Sequence, residues 1–313
     1  MLVQAIPAPD GVITSKGCYV DLDIERYHGQ CTDGPSISSS GLRTIFIDSP
    51  AHYWKSSAIN PNRIPYVPTE PMVLGKAAHH LLLGERDFGR LFTVRLAKAP
   101  DGRDWNGNNA SCRAWLAEQA HAGLTVLTSG QIEAIRGMHA SLQAHPLITA
   151  GILDGAIEHS MIWQDEETGI WLKARPDAIP TASGDFADLK TAAGVAPEDL
   201  SRAVSDGRLD MQAALVKWGA KAVLGIEMND FALVFVEKTP PHCVEVRVIR
   251  PDHIEEAEGD LRAAIRLFAK CLKTNTWPGP GGTSVDPAPI GLSDFARRRA
   301  ADRRAFIQQE IAA

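Results

Sequence analysis

Ile170-Trp171-Leu172-Lys173-Ala174-Arg175-Pro176-Asp177-Ala178-Ile179, then a turn over residues 180–185, then Phe186-Ala187-Asp188-Leu189-Lys190-Thr191, form the stretch on which the fold turns. Both runs are rich in apolar and β-prone residues and are separated by turn formers, so they predict two strands joined as a hairpin. Upstream, Ile157 to Trp163 is another β-prone run, closed by the turn-like Asp165-Glu166-Glu167-Thr168-Gly169. The middle of the chain therefore predicts an antiparallel meander.

Helical patterns surround it. On the N-terminal side, Ser38-Ser39-Ser40 reads as an N-cap region for a turn of helix over 41–46, limited by Pro50. Val73 to Leu83 is unpunctuated and rich in Ala and Leu, which predicts a buried helix containing His79. Residues 99–110 are dense in Gly, Asn and Asp and predict an exposed loop, followed by a helix near Cys112 to His121. Thr128 and Gln131 have the spacing of a capping box, with Ile132, Ile135, Met138 and Leu142 at helical intervals behind them. After the meander, Pro197 to Ala220 predicts a helix, Phe231 to Glu237 and Cys243 to Ile249 two strands, and Asp252 to Lys273 a long helix capped by Asp252. Trp277-Pro278-Gly279-Pro280-Gly281-Gly282 breaks regular structure, and the tail beyond it holds a basic helical piece, Phe295 to Arg304. The expected fold class is α/β, a central mixed sheet begun by the meander and flanked by helices. The expected division is an N-terminal extension over 1–24, one domain over 25–282 and a tail over 283–313.

Composition excludes several function classes. The 313 residues are 44% hydrophobic and 22% charged, which is the profile of a globular protein. A formal charge of -6 argues against a uniformly basic coat for nucleic acid, so any such contact is expected to be local. Cys18, Cys31, Cys112, Cys243 and Cys271 are scattered without a C-x-x-C pair, which disfavours a zinc ribbon or a disulfide framework and is consistent with a reducing cytoplasm. The first twenty residues lack the pattern of a signal peptide, and no apolar run is long enough for a membrane span.

The chemistry concentrates on the hairpin. Pairing of its strands brings Asp177 and Asp188 together, and two carboxylates suit a hard cation such as Mg²⁺. Asp188 and Lys190 are two apart on one strand and share a face, and the Leu189 carbonyl between them can turn to the same cation. An ammonium there can orient a water and offset charge on a phosphorane. A D-x-K on a strand is commonly an exposed ion pair, and a histidine on an apolar helix is commonly a core residue; it is the combination that narrows the reading. Arg175 is a candidate phosphate contact or a partner for a carboxylate. Glu158 opens the first strand and can reach the same face, although a solvated strand end is the simpler reading. For Arg297 to Arg304 a solvated helix end is likewise simpler than a DNA contact.

Taken together, Leu74-Gly75-Lys76-Ala77-Ala78-His79, Arg175-Pro176-Asp177 and Asp188-Leu189-Lys190-Thr191 resemble the RecE-like (exonuclease VIII) nucleases of the PD-(D/E)XK superfamily. Tyr27-His28, Ser36 to Leu42, Ser49 to Tyr53 and Trp277-Pro278-Gly279 resemble that family in the same order, so the likeness spans about residues 25–282. The resemblance implies metal ligation by His79, rather than by His80, together with Asp177, Asp188 and the Leu189 carbonyl. It makes Lys190 the catalytic lysine and places Gln212 beside the site as a substrate-steadying residue. The family's tyrosine four residues later is Val216 here. The implied activity is Mg²⁺-dependent, or Mn²⁺-dependent, degradation of linear double-stranded DNA from 5′ ends, leaving 3′ strands for a RecT-like annealing protein. A ring-shaped homotetramer is implied as well. A restriction- or repair-type endonuclease with the same residues, and a DNA-end-binding accessory protein without catalysis, are the alternatives. An iron-sulfur nuclease of the AddB kind lacks its cysteine quartet here.

Overall fold

Phe231-Ala232-Leu233-Val234-Phe235-Val236 is apolar without alternation, as expected of a strand covered on both faces. In the computed structural model, which describes residues 4–64, 67–84, 88–181, 183–284, 286–287 and 289–312, it is strand Phe231–Glu237, with six consecutive buried residues. It pairs in parallel with Phe186–Ala192 and antiparallel with Val244–Val248. Two short strands complete this sheet, in the order Val244–Val248, Phe231–Glu237, Phe186–Ala192, Ala178–Ile179, Ala156–Ile157.

Alternate side chains divide between two cores, as strand geometry requires. Phe231, Leu233 and Phe235 enter a core with Leu215, Ile265 and Phe268, from helices Leu209–Gly219 and Pro251–Thr274. Leu189, Val234 and Val236 enter a second core with Ala77, Ala78, Ile135 and Met138, from helices Glu70–Leu82 and Ser129–Ala144. The expected α/β class, with mixed sheets flanked by helices, is what the chain adopts. Among the described residues no helix is long and apolar enough to cross a membrane.

The meander itself is divided. The expected strand over 170–179 is two strands, Trp171–Ala174 and Ala178–Ile179, in two different sheets. The first joins a second five-stranded sheet, ordered Ala5–Pro7, Gly17–Val20, Ser160–Gln164, Trp171–Ala174, Ser36–Ser38. Pro176 gives the reason, since it has no N–H for a ladder. The expected strand over 157–163 divides in the same way at Glu158-His159, where Glu158 takes a left-handed φ of 62°. Residues 1–24, set apart as an extension on sequence grounds, supply two strands of this second sheet and buried Ile13, Cys18 and Tyr19.

Two further expectations need correction. The helix expected over 197–220 is Pro197–Gly207 and Leu209–Gly219, broken where Arg208 adopts φ 45°. Its guanidinium clamps Asp210 and Asp260 and lies 4.7 Å from the centre of the Phe46 ring, which holds the break in place. The long helix Pro251–Thr274 starts after Arg250, and Asp252, expected as its cap, instead pairs with the Arg250 guanidinium. The tail forms helix Asp294–Ala312, with no buried residue.

Candidate active site

The short strand Ala178–Ile179 pairs with Phe186–Ala192 only at Ala187, so the ladder stops before Leu189. Asp177 takes up the vacancy: its Oδ2 accepts the Leu189 backbone N–H at 2.5 Å. A residue's N–H and C=O leave a strand on the same edge, so the Leu189 carbonyl also faces the side on which Asp177 stands. Asp177 Oδ1 lies 3.4 Å from His79 Nδ1 on helix Glu70–Leu82, with a quarter (25%) of the histidine side chain exposed. The neighbouring His80 is buried instead, against Phe88 and Phe92.

Asp188 and Lys190 share a sheet face, and their carboxylate and ammonium are in direct contact through Asp188 Oδ2. Gln212 Nε2 donates to Asp188 Oδ1 at 2.7 Å from helix Leu209–Gly219. Val216, one turn on, is buried in the core of that helix. Imidazole and glutamine therefore approach the two aspartates from helices on opposite faces of the sheet. Arg43, which sequence reading passed over, donates to the Gly207 carbonyl at 2.6 Å and lies within the influence of Asp188 and Asp210. Nothing in its helix pattern marks it out.

Electrostatics separates the two carboxyl groups. Burial pushes Asp177 up, but His79, Lys190 and the Leu189 N–H outweigh it and hold its pKa below the ordinary value. Burial and the charge of Asp177 raise Asp188, against the pull of Lys190. Burial disfavours the His79 imidazolium, yet Asp177 prevails and raises its pKa. Titratable groups pushed apart in this way are the mark of a site arranged for chemistry.

Among the described residues, no three His, Cys, Asp or Glu side chains form a ready metal cluster, because Asp177 is turned to His79 and Asp188 to Lys190 and Gln212. The donor set still suits a hard cation. Asp188 is 1% exposed, and its Oδ2 has the Lys190 charge beside it but no aligned hydrogen bond. Two carboxylates, an imidazole and a strand carbonyl are donors of the kind Mg²⁺ or Mn²⁺ accepts.

A cavity of about 690 Å³ opens beside His79 and Asp177, lined also by Glu158, Arg175, Lys76 and Arg90. Arg175 bonds the Leu22 carbonyl at 3.1 Å and lies 5.9 Å from the centre of the Tyr27 ring, rather than pairing with a carboxylate. Burial, and after it the positive charges of Lys173, Lys76 and Arg175, depress the His28 imidazolium nearby. Glu158 is in the cavity after all, on a backbone conformation that costs energy for any residue but glycine.

The model of a PDDEXK-like domain of unknown function matches residues 38–284. The chain belongs to this family. Among the solved structures, a protein of Eubacterium rectale described as a candidate exonuclease superposes with a TM-score of 0.59 at 13% identity, over 88% of this chain and 98% of that one. At that identity the likeness is one of fold. No curated protein matches the chain. The PDDEXK-like domain is a nuclease fold, and its matched span takes in His79, Asp177, Asp188, Lys190 and Gln212.

Proposed function

We propose that this PDDEXK-like protein is a Mg²⁺-dependent exodeoxyribonuclease of the RecE-like kind, with Mn²⁺ as an alternative ion. Its substrate is linear double-stranded DNA, degraded from 5′ ends to leave 3′ single strands. One observation carries the reading: the Leu189 N–H joins Asp177, with its His79, to the strand that presents Asp188, Lys190 and Gln212.

His79, Asp177, Asp188 and the Leu189 carbonyl would hold one or two cations, which when bound acidify a water and stabilise charge on phosphate oxygens. Lys190 Nζ orients the attacking water and offsets negative charge as the phosphorane forms. Gln212 fixes the rotamer of Asp188 through Oδ1 and leaves Oδ2 aimed into the site. His79 at Oδ1 and the Leu189 N–H at Oδ2 fix the rotamer of Asp177 in turn. Arg175 and Lys76 receive the flanking phosphates in the cavity, whose lining Glu158 shares.

On this reading the nuclease domain takes in the strands Ala5–Pro7 and Gly17–Val20 and runs to about residue 282, and 283–313 is its tail. The working unit is a ring-shaped homotetramer in the cytoplasm that passes its 3′ strand to a RecT-like annealing protein. Time-resolved digestion of linear duplexes blocked at one or other end, beside a covalently closed circle, tests the activity. Nucleotide release from 3′-blocked but not 5′-blocked duplex is expected, with the circle intact and Lys190→Ala slower by roughly 10²-fold or more. Cutting of the circle would favour the endonuclease, and undiminished release by Lys190→Ala would remove the lysine from the mechanism.

A further inference from the structure

The segment between the His79 helix and helix Ser129–Ala144 departs from the rest of the chain in charge. Over residues 88–127, Arg90, Arg95, Lys98, Arg103 and Arg113 stand against three carboxylates, a net of +2 in a chain of -6. The segment folds on a parallel strand pair, Phe92–Val94 with Thr125–Leu127, and encloses helix Ala110–His121. One end, Arg90, lines the cavity beside His79 and Asp177.

The other end carries aromatic rings at the surface. The Arg95 guanidinium lies over the Trp105 ring, 5.3 Å from its centre, and Trp105 meets Trp115 at 5.5 Å and 87°. All three residues are half-buried, and Val94 and Leu96 beside them are exposed. The support is stiff. The Arg95 N–H donates to the Leu127 carbonyl, the backbones of Lys98 and Asp104 pair in an isolated antiparallel β-bridge, and Asn109 caps the Trp115 helix while its amide holds Asp101 at 2.9 Å. A loop rich in Gly and Asn is thereby held so that Trp105 keeps one position.

A fixed part-exposed indole beneath a guanidinium, within a basic segment, has the elements of a stacking platform for unpaired bases, the ring taking a base face and the arginines the backbone. Five residues separate Arg95 from Arg90, roughly 17 Å of extended chain at most, a span of a few nucleotides. We infer that Trp105 and Arg95 form a binding site for unpaired DNA, taking the single strand that runs out from the cavity. The ligand class rests on the nuclease reading, because removal of one strand of a duplex leaves its complement without a partner.

Anisotropy of a short fluorescein-labelled oligodeoxythymidylate, measured without divalent metal and against a blunt duplex of equal length, tests the site separately from hydrolysis. Trp105→Ala is expected to weaken oligonucleotide binding roughly 5- to 100-fold with little change for the duplex, and Trp105→Phe to keep affinity within about threefold. Arg95→Gln is expected to weaken it too and to reduce the salt dependence by about one ion. Wild-type affinity in both Trp105→Ala and Arg95→Gln, or equal losses for oligonucleotide and duplex, overturns the inference. If the wild type binds the oligonucleotide through Trp105 yet hydrolyses nothing, the platform stands and the nuclease reading falls. If it hydrolyses duplex while Trp105→Ala binds as the wild type does, the reverse holds.

Discussion

Gln212 reaches the hairpin through a 2.7 Å hydrogen bond to Asp188, from a helix on the sheet face away from His79. A carboxylate whose partner fixes its rotamer behaves differently from one that is merely near a charge. Gln212→Ala is therefore expected to lower the rate at saturating DNA roughly tenfold without altering the melting curve. An unchanged rate would reduce Gln212 to a packing residue. Asp177, Asp188 and Lys190 were legible because residue type and spacing constrain them together, D-x-K on one strand and an aspartate one turn earlier, whereas His79 and Gln212 came from the family resemblance. The same reading left Glu158 as a solvated strand end, since nothing local shows that it holds a left-handed conformation facing the cavity. Arg43 and Trp105 were passed over because their significance comes only from neighbours distant in sequence.

Elements with strong local signals form as read. Phe231–Glu237 has the predicted bounds, and helix Ser129–Ala144 begins with the capping box in full: the Thr128 side chain accepts the Gln131 N–H, and the Gln131 side chain accepts the Thr128 N–H. Thr128→Ala is expected to lower the free energy of unfolding by about 1 kcal/mol, seen as an earlier urea midpoint at unchanged slope. An unmoved midpoint would show that the box adds nothing to the packing of Ile135, Met138 and Leu142. Where the signal was an uninterrupted apolar run, the boundary was lost. Ile170 to Ile179 is hydrophobic throughout apart from its charged members, so its only mark of division was Pro176, and which sheet each half joins depends on partners as distant as Ser36–Ser38. The reading of one helix over 197–220 ran through Gly207-Arg208, where the left-handed turn falls on the arginine, whose ion pairs and Phe46 contact repay the strain.

At the scale of the molecule, the least comfortable residue is Lys173. It is 2% exposed and donates to the Tyr27 and Gly29 carbonyls, and among the described residues no carboxylate forms an ion pair with it. Burial lowers its pKa from 10.5 to about 8. The folded chain thus gives up a proton that the unfolded chain keeps between about pH 8 and 10.5. Stability relative to Lys173→Met should rise with pH across that window by roughly 3 kcal/mol, and stay level below it. A difference that does not vary with pH would mean that the amine is not desolvated as described. At the other extreme, helix Asp294–Ala312 has no buried residue, so deletion of residues 293–313 is expected to shift the melting temperature by no more than roughly 2 °C. A larger fall would reveal packing by the tail.

Arg175-Pro176-Asp177 lies where the chain leaves one sheet for the other, so one member of the acidic pair is anchored to a seam while its mate stands on a strand paired along its whole length with Phe231–Glu237. Seams loosen before cores do. In a urea titration, catalysis should consequently fade while circular dichroism still reports an intact protein, and a crosslink spanning the seam should bring the two transitions back together.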